Sequence, residues 1–520
     1  MNTADQLDEL LESRLRQTRR PVEPFTAVIF GASGDLTSRK LIPALYHLAL
    51  EKQLPNPYRI IGFARREKSD DGWRQELREA LGHFSRTQPV NENVWNEFAK
   101  NLVYCQADIS DSAGYTKLKA ILESFPDPRL QTNLLYYLAT QPSQFGEVAA
   151  HLSAASLLHK ENDTYADRLV IEKPFGHDLA SARELNADLV RHCHERQIFR
   201  IDHYLGKETV QNILMFRFSN GIFERLWNRD AIDHVQITIS EKLGVGSRAG
   251  YYEEAGAMRD MVQNHLLQVL SLVAMEPPVS LEPENIRDEK VKLLKSIRPM
   301  SPAQVLENVV RGQYFAGEVD GEARPAYRSE PKVKPNSHVE TFTAMRLFID
   351  NWRWHGVPFY LRTGKNLPLS ASEVRIQFKP APNILFAARQ DANLDPNSLT
   401  LRLQPNEGII LRFNGKIPGT ATELRPVRMR FSYDSEFGAY TPEAYERLLL
   451  EAIAGDATLF IRRDEVETAW SIVDAIRNAW AGKALSNREF YAAGTWGPTA
   501  AEDLMARDGR EWRNPQPQKE

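Results

Sequence analysis

The sequence predicts an α/β chain in two parts: an N-terminal doubly wound parallel sheet, and a larger α+β domain with a mostly antiparallel sheet. Three observations predict it. Short apolar runs alternate with helical stretches over roughly the first 200 residues. Beyond them, runs alternating with period two cluster around one long helical stretch. A glycine turn also follows the first apolar run directly, where a strand would hand over to a helix.

The elements follow in order. Residues 1–24 read as an amphipathic tail. Asp5, Asp8, Glu9 and Glu12 are unlike a transit peptide, and Arg19-Arg20 lacks the apolar stretch of a twin-arginine signal. Phe25 to Phe30, Tyr58 to Phe63, Leu102 to Cys105, Leu134 to Leu138 and Leu169 to Glu172 read as buried strands. They place a dinucleotide-binding, Rossmann-like domain at 25–200. A substrate-binding and oligomerisation domain follows at 201–510, with alternating runs at 235–240, 373–378, 399–403, 409–413 and 427–431. Glu254 to Met275 reads as a long helix among them. Asn414-Gly415 carries a hairpin-turn signal, and Pro418 argues against a long partner strand. Residues 511–520, polar and proline-containing, read as a loose C-terminal tail.

Composition narrows the function classes. The 520 residues include 42% hydrophobic and 26% charged, the mix of a soluble globular protein of about two to four domains. Lys+Arg of 65 against Asp+Glu of 69 leaves no basic excess for a nucleic-acid partner. No apolar run approaches a membrane span. Two cysteines, Cys105 and Cys193, allow one bridge at most and fit a reducing, cytoplasmic setting.

Five segments carry chemistry. Gly31-Ala-Ser-Gly34-Asp35-Leu36 permits a tight turn and close approach of a pyrophosphate to a helix N-terminus, although the full GxGxxG pattern is absent. Pro43 sits awkwardly in the following helix. Arg65-Arg66 ends the second strand, where an arginine suits the 2′-phosphate of NADP and a carboxylate would suit NAD; a random Arg-Arg pair is otherwise a solvated surface pair. In Arg200-Ile-Asp202-His203-Tyr204-Leu-Gly206-Lys207, His203 and Lys207 would share a helix face and grip a phosphate; spacing alone favours a charged, solvated turn. His265 is a general-base candidate or a satisfied core histidine. Asp260, five residues earlier, lies about 140° away on an ideal helix, so an orienting carboxylate is sought elsewhere, with Asp202 the candidate. Lys173 ends a strand and faces the ligand crevice, or simply closes a turn. Arg191-His-Cys-His194 reads as a surface helix, and no metal is predicted.

Together these strings resemble the glucose-6-phosphate dehydrogenases in their bacterial form, over about residues 25–510. The specific ones are Gly31 to Tyr46, Glu172 to Ala182, Arg200 to Glu208 and Arg259 to Gln268. Arg362 to Lys365, Pro442 to Leu450 and Arg462 to Trp470 add to them. The resemblance implies oxidation of D-glucose 6-phosphate at C1 by NADP, giving 6-phosphoglucono-1,5-lactone and NADPH, the first step of the oxidative pentose phosphate pathway. It implies His265 as base and Asp202 as the carboxylate orienting it. His203, Tyr204 and Lys207 match the phosphate grip, and Glu241, Asp260 and Lys365 the sugar-binding groups. Lys173 lies between substrate and coenzyme. Gly31, Ala32, Ser33, Gly34, Asp35, Leu36, Thr37, Ser38 and Arg65 match the coenzyme site, and Asp108 and Ile109 its adenine end. A homodimer or homotetramer is implied.

The chain departs from the family pattern at Gln141, usually proline, at Gly244 to Gly250, and at Ser370, usually a second cation; its N-terminal tail is longer than typical. Two other readings are a dehydrogenase of broader sugar choice and a catalytically weak regulatory paralogue. The second would be expected to have lost His265, Asp202 or Lys207, and all three are present.

Overall fold

The structure is a computed structural model that describes residues 22–160, 164–382, 395–419, 423–438 and 442–517; the N-terminal tail expected over 1–24 lies, up to residue 21, outside them. The chain divides into two compact units.

The first unit holds six parallel strands: β1 (Phe25–Phe30), β2 (Tyr58–Ala64), β3 (Leu102–Gln106), β4 (Leu134–Leu138), β5 (Arg168–Ile171) and β6 (Ile198–Ile201). Their order is β6-β5-β4-β1-β2-β3, with Phe460–Ile461 antiparallel on the β6 edge. This is the doubly wound order in which the chain runs outward from β1 and then restarts at β4 on its other side. Every residue of β1 and β4 is buried, as expected where helices cover both faces. β6 was not legible beforehand because Arg200 interrupts it. That guanidinium is fully buried, bonded to Glu195 (2.5 Å) and Asn186 (2.8 Å).

The unit is not the continuous 25–200 segment expected. It comprises the chain through Lys173, then Glu184–His203 and Glu443–Ile461. The late segment is held by a two-pronged Arg86–Glu446 pair at 2.8 and 3.1 Å, with Glu446 buried. Pro174–Arg183 belongs to the second unit, tied there by Trp470 Nε1 donating to the Phe175 carbonyl (2.8 Å). Cys105 and Cys193 are free and fully buried; burial pushes their thiols up to about 11 and about 12. The surface reading of the 191–194 segment therefore fails at Cys193.

The second unit is built on nine strands: β7 (Ile232–Ser240), β8 (Val309–Phe315), β9 (Phe342–Phe348), β10 (Pro358–Gly364), β11 (Ala371–Phe378), β12 (Ser398–Gln404), β13 (Gly408–Lys416), β14 (Leu424–Ser432) and β15 (Phe490–Ala492). The order is β14-β13-β12-β11-β7-β10-β9-β8-β15, antiparallel except for β7–β10 and β8–β15. Asn414-Gly415 is not a turn: Asn414 pairs with Pro426 and Gly415 with Arg425 inside the β13–β14 ladder. Nor does Pro418 shorten the partner, since β14 has nine residues. β14 is the sheet edge, where Pro426 is tolerated.

Residues 511–514 are not a loose tail. Trp512 is 5% exposed and donates to the Ala501 carbonyl (2.8 Å). The guanidinium of Arg362, itself buried in β10, lies 4.4 Å from its ring centroid, and Arg513 N–H donates to Gln236 (3.0 Å). A buried indole on a buried cation offsets the polarity of the flanking residues. Trp512→Ala should destabilise the second unit by about 3–5 kcal/mol, read as a lower denaturant midpoint; an unchanged midpoint would show that the segment contributes nothing.

Candidate active site

In the first unit the candidate groups gather at the carboxyl ends of the strands, beside the β1/β4 switch point where ligands of such sheets bind. Gly31 has φ +84°, and a Cβ there would lie 2.4 Å from the Ala139 carbonyl oxygen at the end of β4, so only glycine fits. Gly31 and Ala32 N–H both donate to the Phe63 carbonyl, and Gly34 N–H closes the turn onto the Gly31 carbonyl (2.9 Å). Thr37 and Ser38 hydroxyls bond back to the carbonyls of Gly31 and Asp35. The space of a Cβ at Gly34 holds only the Gly31 carbonyl oxygen. Thr37–Leu41 is π-helical, and Pro43 follows in the first turn of the α-helix Ile42–Leu50. The helix runs unbroken through this point, with Ile42 N–H on the Thr37 carbonyl, so Pro43 sits inside a continuous helix and removes one N–H from its ladder where the π-helical turn ends.

Arg65, exposed, follows β2; Asp108 stands just past β3, whose exit is fixed by Ala107 N–H on the Ala64 carbonyl. Bonds from the Ser110 N–H and hydroxyl, and then the Arg65 charge, hold the Asp108 carboxyl below its ordinary value. Ile109 is fixed by its carbonyl on the Tyr115 hydroxyl (2.8 Å). Glu172, Lys173 and Asp202 follow the neighbouring strands β5 and β6. Burial raises the Glu172 carboxyl, while hydroxyl bonds from Tyr137 (2.5 Å) and Tyr445 (3.1 Å) and the Lys173 charge oppose the rise. Nothing in its local sequence marks Tyr445, which arrives from 273 residues along the chain. Gln141 uses the N–H that a proline would lack: it donates to the Gln144 side chain (3.2 Å), starting the short helix Pro142–Gln144.

In the second unit, β7 and β10 are parallel and end together, Ser240 opposite Gly364. The next residues, Glu241 and Lys365, form an ion pair. The Lys365 ammonium also lies 5.3 Å from the ring centroid of buried Tyr252. β11 starts opposite Ser240, and Ser372 pairs with Gln404 at the end of β12. Gln404 accepts a hydrogen bond from Lys207, whose ammonium sits 3.7 Å over the Tyr204 ring. The Tyr204 hydroxyl reaches Ser372 (3.4 Å), and its ring stacks on His265 at 4.2 Å. Residues 203–207 form a turn, and the helix begins at Glu208 with Lys207 as its cap. His203 and Lys207 therefore do not share a helix face. Gln404, Ser372 and Tyr252 were missed, since nothing in their local sequence marks them; only the strand register brings them here.

The long helix expected over Glu254 to Met275 is interrupted. Gly256 breaks it at φ +63°, and Met258–Leu266 is π-helical before α-helix Leu267–Ala274 resumes. Five residues, about 140° on an α-helix, are one hydrogen-bonded turn of a π-helix. The separation of about 140° that an ideal α-helix gives Asp260 and His265 therefore does not apply over this segment. Both are buried, and Asp260 accepts from the Tyr251 hydroxyl (3.4 Å). A Cβ at Gly244 would come 2.8 Å from the Asn366 side-chain amide, which would have to shift to admit it. Ser370, in place of a second cation, accepts the Lys242 N–H (2.9 Å).

Comparison with known proteins agrees with this layout. Residues 28–212 match the family model of the glucose-6-phosphate dehydrogenase NAD binding domain, and 214–513 that of the C-terminal domain. The chain belongs to the glucose-6-phosphate dehydrogenase family. It is 48% identical over 490 residues to the glucose-6-phosphate 1-dehydrogenase of Aggregatibacter actinomycetemcomitans, covering 94% of this chain and 97% of that one. The Chlamydia muridarum enzyme is 46% identical over 497 residues, with the same coverage. Among solved structures, a glucose-6-phosphate dehydrogenase in complex with its substrate glucose-6-phosphate matches at TM-score 0.86 and 36% identity, covering 96% of this chain and 100% of that one. Within this family member, the first unit gathers Gly31–Ser38, Arg65, Asp108, Ile109, Lys173 and Asp202. The second gathers Tyr204, Lys207, Glu241, Asp260, His265 and Lys365.

Proposed function

We propose that the chain oxidises D-glucose 6-phosphate at C1 with NADP, giving 6-phosphoglucono-1,5-lactone and NADPH. The observation that carries this is the stacking of Tyr204 on His265, with the Lys207 ammonium over the same Tyr204 ring. It puts a base candidate and a phosphate-binding cation against one aromatic side chain. The relatives' names and the substrate complex support the sugar phosphate.

The first unit fits a dinucleotide. Its strand order, the glycine turn that admits no Cβ at Gly31, and the exposed Arg65 match the requirements of a pyrophosphate and a 2′-phosphate. Gly31, Ala32, Ser33, Gly34, Asp35, Leu36, Thr37 and Ser38 would hold the pyrophosphate end, Arg65 the 2′-phosphate, and Asp108 and Ile109 the adenine end. Bound NADP supplies the hydride acceptor. His203, Tyr204 and Lys207 grip the substrate phosphate, and this remote contact positions C1. Glu241, Asp260 and Lys365 bind sugar hydroxyls, Lys173 lies between sugar and coenzyme, and the His265 imidazole takes the C1 hydroxyl proton. Asp202, two residues before Tyr204, orients that imidazole. A cytoplasmic setting belongs to the same reading, supported by two free, buried thiols.

Coenzyme reduction compared on glucose 6-phosphate, galactose 6-phosphate and free glucose tests the substrate; equal rates on the free sugar would reject the phosphate grip. His265→Asn should lower kcat by roughly 10²- to 10⁴-fold with glucose 6-phosphate still bound, and Asp202→Asn by a smaller factor. A kcat for His265→Asn within about threefold of wild type would assign the base elsewhere. Arg65→Ala should raise the KM for NADP by about ten- to a hundredfold and leave that for NAD nearly unchanged. Equal effects on both would reject a 2′-phosphate contact.

The reading includes a homodimer or homotetramer joined through the large sheet. Val427 and Met429, two apart and so on one face of β14, are 36% and 61% exposed. Light scattering at micromolar concentration should give at least a dimer mass; a monomer mass would contradict it.

A further inference from the structure

The dipeptide Glu340-Thr341 sits between two parts of the second-unit site. On one side Glu340 meets the start of the π-helical segment that carries Asp260 and His265. Its backbone carbonyl accepts Ala257 N–H (2.9 Å) and its carboxylate oxygen Oε1 accepts Met258 N–H (3.0 Å). These N–H groups open the segment and have no partner within a helix, so Glu340 acts as a cap supplied from elsewhere in the chain. Gly256 makes room for it: a Cβ there would lie 2.5 Å from Glu340 Oε1, and its φ of +63° strains any other residue. On the other side the Thr341 carbonyl accepts Lys365 N–H (2.9 Å). Thr341 is itself tied down, its N–H on the Gly312 carbonyl of β8 (2.7 Å) and its hydroxyl 3.0 Å from that of Tyr491.

We propose that Glu340 is a positioning residue for the reaction: its carboxylate fixes the start of the π-helical segment, and with Thr341 it sets the placement of His265 and Asp260 relative to Lys365. This rests on the functional reading above. Burial raises the Glu340 carboxyl above its ordinary value, opposed by the Met258 N–H bond and the charges of Arg477 and Arg259, and the helix dipole favours a negative group at this N-terminus. The decisive property is nevertheless reach, because two N–H groups must be met by one residue's carbonyl and side chain.

Reach and charge are separable. Glu340→Asp keeps the charge and withdraws the oxygen by one methylene; Glu340→Gln keeps the reach and removes the charge. The expected result is a kcat for Glu340→Asp about ten- to a hundredfold below wild type, with the KM for NADP within about twofold, and a kcat for Glu340→Gln within about threefold of wild type. Amide hydrogen exchange at Ala257 and Met258 needs no turnover and should be faster in Glu340→Asp than in wild type or Glu340→Gln. Wild-type exchange at these amides in Glu340→Asp would overturn the proposal whatever the enzyme turns over. So would wild-type kcat in that variant, or a Glu340→Gln as impaired as Glu340→Asp. Absence of turnover in the wild-type protein would count against the reaction instead, leaving the exchange result to decide Glu340.

Discussion

The second-unit site depends on one feature of its sheet: β7 and β10 run parallel within an otherwise largely antiparallel array. Parallel neighbours in register finish at the same level, so the residues after Ser240 and Gly364 emerge side by side. Glu241 and Lys365 pair there, and β11 and β12 bring Ser372 and Gln404 to the same end. An antiparallel β10 would have carried Lys365 to the other end of the sheet. The π-helical segment then adds Asp260 and His265, with Tyr204 against the imidazole and Lys207 over Tyr204. The site is polar and charged, yet much of it is buried, which is sustainable only because the groups partner one another.

The first unit obeys a simpler constraint. Its strands are parallel, so each leaves its loop at one end, and the connections leaving the paired strands β1 and β4 run to opposite sides beside the glycine turn. That is why much of it was legible in the sequence. Five of its six parallel strands are short apolar runs bounded by polar or glycine residues, and β1 and β4 were placed to the residue. β6 was hidden by a buried arginine, and the Phe460–Ile461 edge strand by its brevity and its distance along the chain.

The second unit was less legible, for a physical reason. The alternating runs of β7 and β11 to β14 were legible, although β7 is the central strand and is buried almost throughout; β8 and the short edge strand β15 were not. β9 and β10 are covered nearly throughout, so Phe342–Phe348 and Pro358–Gly364 show no period-two signal. The change from α to π geometry at Met258 is also invisible to a helical wheel, which assumes one repeat throughout. Asn414-Gly415 misled in the other direction: the dipeptide suits a hairpin turn, but pairing with Pro426 and Arg425 holds it extended. The candidate side chains were named largely through resemblance. What the sequence did not supply were the partners that hold them, Gln404, Ser372, Tyr252, Tyr445 and Glu340, because strand register or tertiary packing sets those contacts.

The central claim is that this chain removes a hydride from C1 of glucose 6-phosphate while an imidazole takes the hydroxyl proton. The most direct measurement supplies glucose 6-phosphate carrying deuterium at C1, with NADP, and follows the label. The account predicts deuterium in the reduced coenzyme, in proportion to lactone formed, and none in water. Deuterium appearing in the solvent, or lactone formed without labelled coenzyme, would contradict it.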